Sequence, residues 1–285
     1  MATVANLVQR TRRLIGDWPD RDSLSASISS SGTTATVADS SIYVENHALE
    51  LEDEALIIRD IPAGGVTLTV ARGRYGSTAV SHANSTTVLI NPRFRSVDIL
   101  DALNAGQQAC WPYIYQPVTN TTLTTTASTY EYNVPSVGTG QSQAIPYIYR
   151  VDIQESGETK YRERKDWEII SAATRVLRFK RTQPAGATLR LYGYASFADL
   201  TLSGSTATAF PVQAENPLCA YAAAYLLQSA EAQRVRVDTG TIDNREQANR
   251  VGASASAAAQ LMARFYREIQ QIGMPPMTRH VRGII

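Results

Sequence analysis

Val4, Leu7, Val8, Thr11, Leu14, Ile15 and Trp18 recur at the three-and-four spacing of one helical face, so the pattern predicts an amphipathic helix at the start of the chain. The segment DWPDRD ends it. From Ser23 to Ile90 the texture changes to alternating Ser, Thr and Val broken by turn residues, in SASISSSGTTATVA, EALIIRD, GGVTLTVARG and STTVLI. Such runs predict short, half-buried strands. NPRFRSVDILDALNAGQQACW then predicts a second helix: Asn91 suits the N-cap, Pro92 the first helical position, and Val97, Leu100, Leu103 and Cys110 share a face.

Strand texture returns between about Tyr113 and Pro211, in TNTTLTTTASTYEYNV, IPYIYRVDIQ, RVLRFKR and ATLRLYGYASF, with a short helix expected at KDWEIISAA. ENPLCAYAAAYLLQSAEAQRVR repeats the Asn-Pro device at Asn216-Pro217 and predicts a third helix with a stripe of Leu218, Tyr221, Tyr225 and Ser229. A last helix follows a capping-box pattern at Asp243 and Glu246. Its apolar positions Ala248, Val251, Ala255, Ala258, Met262, Phe265, Ile269 and Ile272 alternate three and four apart, a heptad seam that is small in its first half and large in its second. That seam can pack on the Leu218 helix of the same chain, on a neighbouring subunit, or on both. Gly273 stops the helix.

The expected fold class is α+β. A helical framework of residues 1–22, 91–112 and 212–272 carries two inserted antiparallel β modules, 23–90 and 113–211, and an extended C-terminal tail, 273–285.

Composition narrows the function. The chain has 285 residues, 44% of them apolar and 19% charged, in keeping with a folded protein of one to three modules. No apolar run reaches the roughly 18 residues of a membrane span, and MATVANLVQRTRRLIGDW lacks the apolar core of a signal peptide. Folding in a cytoplasm is therefore expected, with Cys110 and Cys219 reduced and packed. A net charge of +1 argues against strong general affinity for nucleic acid or anionic membrane. The cations are 24 Arg to 3 Lys, a bias that suits protein interfaces and that a GC-rich coding sequence would also produce.

Catalytic patterns are missing from the sequence. His47, His82 and His280 share no ligand spacing with one another or with either cysteine, so no metal site or cofactor is expected. No nucleophile elbow, phosphate-binding loop or dinucleotide fingerprint occurs. Glu50, Glu52, Asp53 and Glu54 crowd one segment, ELEDEAL, and are expected to repel one another in a solvated loop. In TVARGRYGSTAVSHANSTTVLIN, Gly73 and Gly76 supply the freedom for a tight reversal or bulge. Because β structure follows rather than a helix, the stretch is expected to be an arginine-bearing hairpin, not a phosphate cradle. His82, with no acid nearby in sequence, is expected to bond a turn backbone.

LTVARGRYGSTAVSHANSTTVLI resembles a β module that recurs in structural proteins of tailed bacteriophages: a strand, Arg-Gly, a tight turn, a histidine and a Val-rich strand. Where that pattern often carries a glycine after the histidine, this chain has Ala83-Asn84. The order of elements is also similar to that of head-to-tail adaptor (connector) proteins. The resemblance implies a non-enzymatic virion protein at the neck, assembled in the bacterial host cytoplasm as a homo-oligomeric, dodecameric ring. Its implied partners are the portal protein, a tail or tail-completion protein, and genomic DNA passing through the channel without sequence-specific binding; no membrane is implied. Arg72, Gly73, Arg74, Tyr75 and Gly76 are then the expected loop contact to a neighbouring ring. The tail GMPPMTRHVRGII, through Met274, Pro275, Pro276, Met277, Arg279, His280, Val281, Arg282, Ile284 and Ile285, is the expected portal contact, docked as an extended segment.

Other readings stay open on the sequence. A tail-tube, tail-completion or baseplate component would share these features. Tyr130, Tyr132, Tyr147, Tyr149, Tyr192 and Tyr194 could form a carbohydrate-stacking platform or pack a sandwich core. A wall-degrading enzyme would need two carboxylates at a controlled separation.

Overall fold

In a computed structural model the chain is α+β. The structure describes residues 2–63, 65–138, 141–170, 175–202, 208–238 and 253–272. Two compact units emerge, Met1–Gly106 with Leu200–Glu268, and Gln107–Asp199 with Ile269–Ile285.

The first unit begins with helix α1, Val4–Ile15, capped by the Thr3 side chain on the Asn6 N–H and closed by Gly16 in the left-handed region. Its buried face is Val4, Leu7, Val8, Thr11, Arg12 and Ile15. Leu14 and Trp18, expected on that stripe, are exposed; Gly16 ends the helix before Trp18, and Arg12 takes an inward place.

Six antiparallel strands follow: β1 (Asp20–Ser23), β2 (Thr34–Thr36), β3 (Ala48–Leu51), β4 (Glu54–Asp60), β5 (Thr67–Arg74) and β6 (Thr87–Ile90). Their order is β1-β6-β3-β4-β5-β2. The edges do not stay open. A Leu24–Val37 bridge, with the Ser25 N–H donating to Thr36 at 2.8 Å, joins the continuations of β1 and β2 and closes the sheet into a small barrel. Leu24, Val37, Leu49, Leu51, Leu56, Ile58, Leu68, Val70, Val88 and Ile90 fill it.

The expected β5–β6 hairpin is not formed. β5 pairs with β4 and β2, whereas β6 pairs with β1 and β3. The Arg74–Ser77 turn does reverse the chain, but His82 then bridges Ile28 through two backbone bonds of 3.0 and 2.9 Å, carrying the segment across to the far strand.

Helix α2 runs from Ser96 to Ala109. The Asn91-Pro92 cap is corrected: Asn91 has φ 48° and donates its N–H to Ala48 at 2.7 Å, so it turns the chain out of β6 before the helix starts. The start is set instead by tertiary contacts. Arg12 (1% exposed) donates to Asp17, to Glu50 at 3.1 Å, to the Phe94 carbonyl at 2.7 Å and to Ser96 Oγ at 3.1 Å. Glu50 accepts the Ser96 N–H at 2.6 Å, and Asp17 accepts the Arg93 N–H at 3.1 Å. Two buried carboxylates thus tie the amides that lead into α2 to one buried guanidinium.

Helix α3, Val212–Asp238, starts upstream of the predicted Asn216-Pro217 cap and holds Pro217 inside it. Buried anchors explain the earlier start. Phe210 and Ala214 are buried, and the Glu215 carboxylate accepts the Ala2 N–H at 2.7 Å and pairs with Arg10 at 2.8 Å. These contacts with α1 override proline's preference for a first turn. The predicted stripe is corrected too: Leu218 is buried, but Tyr225 and Ser229 are exposed, while Cys219, Ala220, Ala222, Ala223 and Ala224 are buried. Small side chains let neighbours approach on several sides. A Cβ on Gly106 of α2 would lie 2.9 Å from the Tyr221 ring and 3.0 Å from Leu218.

Helix α4, Ala253–Ile272, sets Phe265 edge-on to Tyr221 of α3 at 5.0 Å. Of the expected seam, Ala258, Phe265 and Ile269 are buried and Met262 half-buried, whereas Ala255 and Ile272 are exposed. Ala248, Val251 and the capping box lie outside the described residues, as do the expected helix stop at Gly273 and the rest of the tail to Ile285.

The second unit is a β-sandwich. One sheet has the order β12-β11-β15-β7, from β7 (Gln116–Thr124), β11 (Tyr147–Gln154), β12 (Arg162–Arg164) and β15 (Thr188–Ala195). The other is β13-β14-β8, from β8 (Glu131–Asn133), β13 (Trp167–Ile169) and β14 (Val176–Phe179), and β9 (Ser136–Gly138) pairs with β10 (Gln141–Ala144). Tyr132, Ile148, Val151, Trp167, Leu177, Phe179, Leu189 and Leu191 form the core between the two main sheets. Within KDWEIISAA, expected as a helix, Trp167–Ile169 form strand β13, because Trp167 and Ile169 follow a period of two and pair with Phe179 and Leu177, and Ser171–Ala173 lie outside the described residues.

Truncating Arg12 to Ala leaves Asp17 and Glu50 buried without their cation. Urea unfolding is expected to show a loss of about 3–5 kcal/mol, whereas Arg164→Ala, at a partly exposed pair with Asp166, changes stability by about 1 kcal/mol or less.

Candidate functional site

Two regions carry the residues that the sequence singled out, one in each unit.

The first is the Arg72–Gly76 turn. Opposite Leu56, β5 has two residues, Arg72 and Gly73, between the pairs Ile57–Ala71 and Ala55–Arg74. This is a bulge, and Gly73 takes its positive φ of 59°. Tyr75 (φ 53°) and Gly76 (φ 80°) then make the tight turn, closed by the Ser77 N–H on Arg74 at 3.0 Å. Arg74, Tyr75 and Gly76 are exposed.

Arg72 does not join them. Its Nε donates to Glu54 at 2.6 Å, and its Nη1 to the Ser29 and Gly32 carbonyls at 2.8 and 3.0 Å. Glu54 also accepts the Gly73 and Val80 N–H groups at 3.0 and 3.1 Å. The His82 ring lies between two acids, Nδ1 3.0 Å from Glu52 and Nε2 2.9 Å from Glu54. Two expectations therefore change. His82 has two acid partners, and the ELEDEAL acids are not all solvated: Glu50 and Glu54 are 3% and 1% exposed.

Spacing explains both corrections. Glu54 shares the inward face of β4 with Leu56 and Ile58, so strand geometry carries it to the end of the barrel core. Glu50 alternates with Leu49 and Leu51 and points to the opposite face, where Arg12 waits. Acids that repel in an extended chain are thus separated onto two cations. Burial raises the Glu54 carboxyl, but hydrogen bonds from Arg72, His82 and the Val80 and Gly73 amides outweigh it and hold it down at about 2. At Glu50 burial prevails, and its carboxyl is raised despite the Ser96 amide and Arg12. Cys110 and Cys219 are unpaired and buried, and burial pushes their thiols up to about 12 and 11. Among the described residues no group of His, Cys, Asp and Glu could hold a metal ion, and no helix is long and apolar enough to cross a membrane.

The second region is the outer face of the β12-β11-β15-β7 sheet. Leu189, Leu191, Gly193 and Ala195 point inward, so Arg190, Tyr192 and Tyr194 point out. Gly193 allows the close approach of β11, since a Cβ there would lie 2.3 Å from the Tyr147 carbonyl oxygen. A bulge in β11 between Ile148 and Arg150 sets Tyr149 and Arg150 outward beside Tyr147. The rings meet. Tyr149 stacks on Tyr194 at 4.8 Å, Tyr147 stacks on it at 5.9 Å, and Tyr115 meets its ring at 4.4 Å. Arg150 lies over Tyr192 at 5.2 Å while gripping buried Asp152 at 2.7 and 2.9 Å, and Arg190 lies over Tyr161 at 3.5 Å.

Of the six tyrosines considered for sugar stacking, four share this face. Tyr132 is core, against Phe179, and Tyr130 lies beneath Arg178. Tyr194 touches three other rings, which leaves it little open face for a sugar. What the surface offers is rigid ring edges, phenol hydroxyls and guanidinium groups, the composition of protein interfaces. The sequence pointed to these pairs by residues two apart; Tyr115, Tyr161 and the arginines were not legible from it.

No protein-family model matches this chain, and no curated protein matches it.

Glu54 makes one contribution to the pH dependence of stability. Its folded pKa lies below the ordinary value of 4.5, so its stabilisation is complete above that value and is lost as pH falls toward 2. Glu54→Gln is expected to unfold at lower urea than wild type at pH 7, with the gap shrinking by pH 3.

Proposed function

We propose that this chain is a structural virion protein, a head-to-tail adaptor that forms a dodecameric ring between the portal and the tail of a tailed bacteriophage. In this reading the helices form a framework from which the barrel and the sandwich project as inserted modules, and the DNA channel passes through the ring. One observation carries the proposal: the Tyr–Arg face of the sandwich, held rigid by sheet pairing and by ring-to-ring contact. Side chains of this kind give large contact area with little ordering entropy, which suits docking between subunits.

Two features support it. The buried ionic groups Arg12, Glu50, Glu54, Arg72 and His82 are joined to one another or to backbone, so they position strands and helices. Arg74, Tyr75 and Gly76 project from a turn whose base is fixed by Arg72, and so form the contact loop of the proposal without Arg72 itself. The tail segment 273–285 remains the proposed portal contact.

Native mass spectrometry with and without the portal tests the assembly, with a portal-dependent dodecamer expected. A chain that neither joins the portal nor occurs in purified virions sinks the proposal. Adaptor and tail component separate by order of addition, since an adaptor joins DNA-filled heads before any tail is present.

Removing residues 273–285 is expected to leave the urea midpoint unchanged and abolish portal binding. Replacing Tyr149 and Tyr192 together by Ser is expected to weaken ring assembly by about tenfold or more, measured by sedimentation with the portal present.

A further inference from the structure

Where α1 meets β1, the chain encloses a cleft of about 190 Å³ lined by Gln9, Arg12, Arg13, Asp17, Trp18, Pro19 and Arg21. Three of these residues are guanidinium-bearing; Arg12 is already matched by Asp17 and Glu50, which leaves Arg13 and Arg21 as the open cations. Asp17 is held by Arg12 and by the Arg93 and Phe94 N–H groups. Arg13 is exposed and its guanidinium has no hydrogen-bond or ion-pair partner among the described residues, and Arg21 reaches Gln9. The cleft therefore has an excess of positive charge.

A further observation points to a partner. Trp18 is 70% exposed. An indole open to solvent next to cations is the make-up of an interface hot spot.

We infer that this cleft is a docking socket for an acidic peptide segment of a partner protein, taking one Asp or Glu carboxylate between Arg13 and Arg21 with an adjoining apolar residue covering Trp18. Size supports this occupant. The cleft is smaller than the roughly 300–1,000 Å³ of ordinary small-molecule pockets and matches a single side chain. Nucleic acid is disfavoured by the shape of the charge, which is confined to one cleft in a chain of net charge +1 rather than spread along a stripe. The inference does not depend on the adaptor reading, because it concerns the cleft alone.

The test uses the full chain and two synthetic peptides, acetyl-Leu-Glu-Leu-amide and its uncharged counterpart acetyl-Leu-Gln-Leu-amide, followed by calorimetry and tryptophan emission. Trp18 is the most exposed of the three indoles, so its burial is expected to shift the emission to the blue. The Glu peptide is expected to bind one-to-one and more tightly than the Gln peptide. Binding is expected to weaken about tenfold in Arg13→Glu and Arg21→Glu. Both variants alter exposed side chains, and urea unfolding at the wild-type midpoint would establish that they are folded. Equal binding of the two peptides, or unchanged affinity in the folded variants, overturns the inference. So does stronger binding by inorganic phosphate or a short DNA duplex, which would make the cleft a phosphate contact.

Discussion

A guanidinium buried to 1% exposure is the constraint around which the first unit is organised. Arg12 cannot leave water without matching anions, because an uncompensated buried charge costs several kcal/mol. It finds Asp17 just beyond its own helix and Glu50 in the middle of a barrel strand. Each of those carboxylates also accepts a backbone N–H near the start of α2. One cation thereby fixes the exit of α1, one face of the barrel and the entry of α2, and a change in any of the three would unbalance the other two.

The same logic recurs at the barrel end on a smaller scale. Arg72 and His82 meet Glu54 where apolar packing runs out. An apolar residue there would leave the carbonyls of Ser29 and Gly32 and the amides of Gly73 and Val80 without these partners. The ionic cluster satisfies all four and holds the crossing segment, which leaves Tyr75 at the tip of a turn that cannot drift. The tip is exposed and its base is rigid, the combination expected of a contact loop.

The sandwich achieves rigidity differently. Its outer face is built from rings that touch one another, and its cations are paired or lie over rings. Preorganised side chains lose little freedom on docking, so this face gains from a partner what a flexible surface would lose to ordering. The Trp18 cleft differs in kind, with charge left unmatched and an indole left open. One surface offers shape and the other offers charge.

Much of the fold was legible in sequence because periodicity is local. The three-and-four spacing from Val4 to Ile15 and the alternation in Thr188–Ala195 encode which face of a helix or strand is apolar, and backbone geometry does the rest. Gly73 and Gly76 likewise announced positive φ without any tertiary information. The sequence could not announce partners distant along the chain. His82 lacks an acid nearby in sequence, yet Glu52 and Glu54 reach it once β4 and the crossing segment are brought together. The same holds for the helix starts at Ser96 and Val212, where burial and long-range hydrogen bonds outweighed the local preference of Asn-Pro. By itself, then, the sequence determined most element types, with strand β13 the exception, and the tight turn and the tyrosine pairs, since these depend on residues a few positions apart. Only tertiary structure decided which charges are buried, which strands are neighbours and which aromatic rings face outward, because those choices are energies of contact between segments that the chain order keeps far apart.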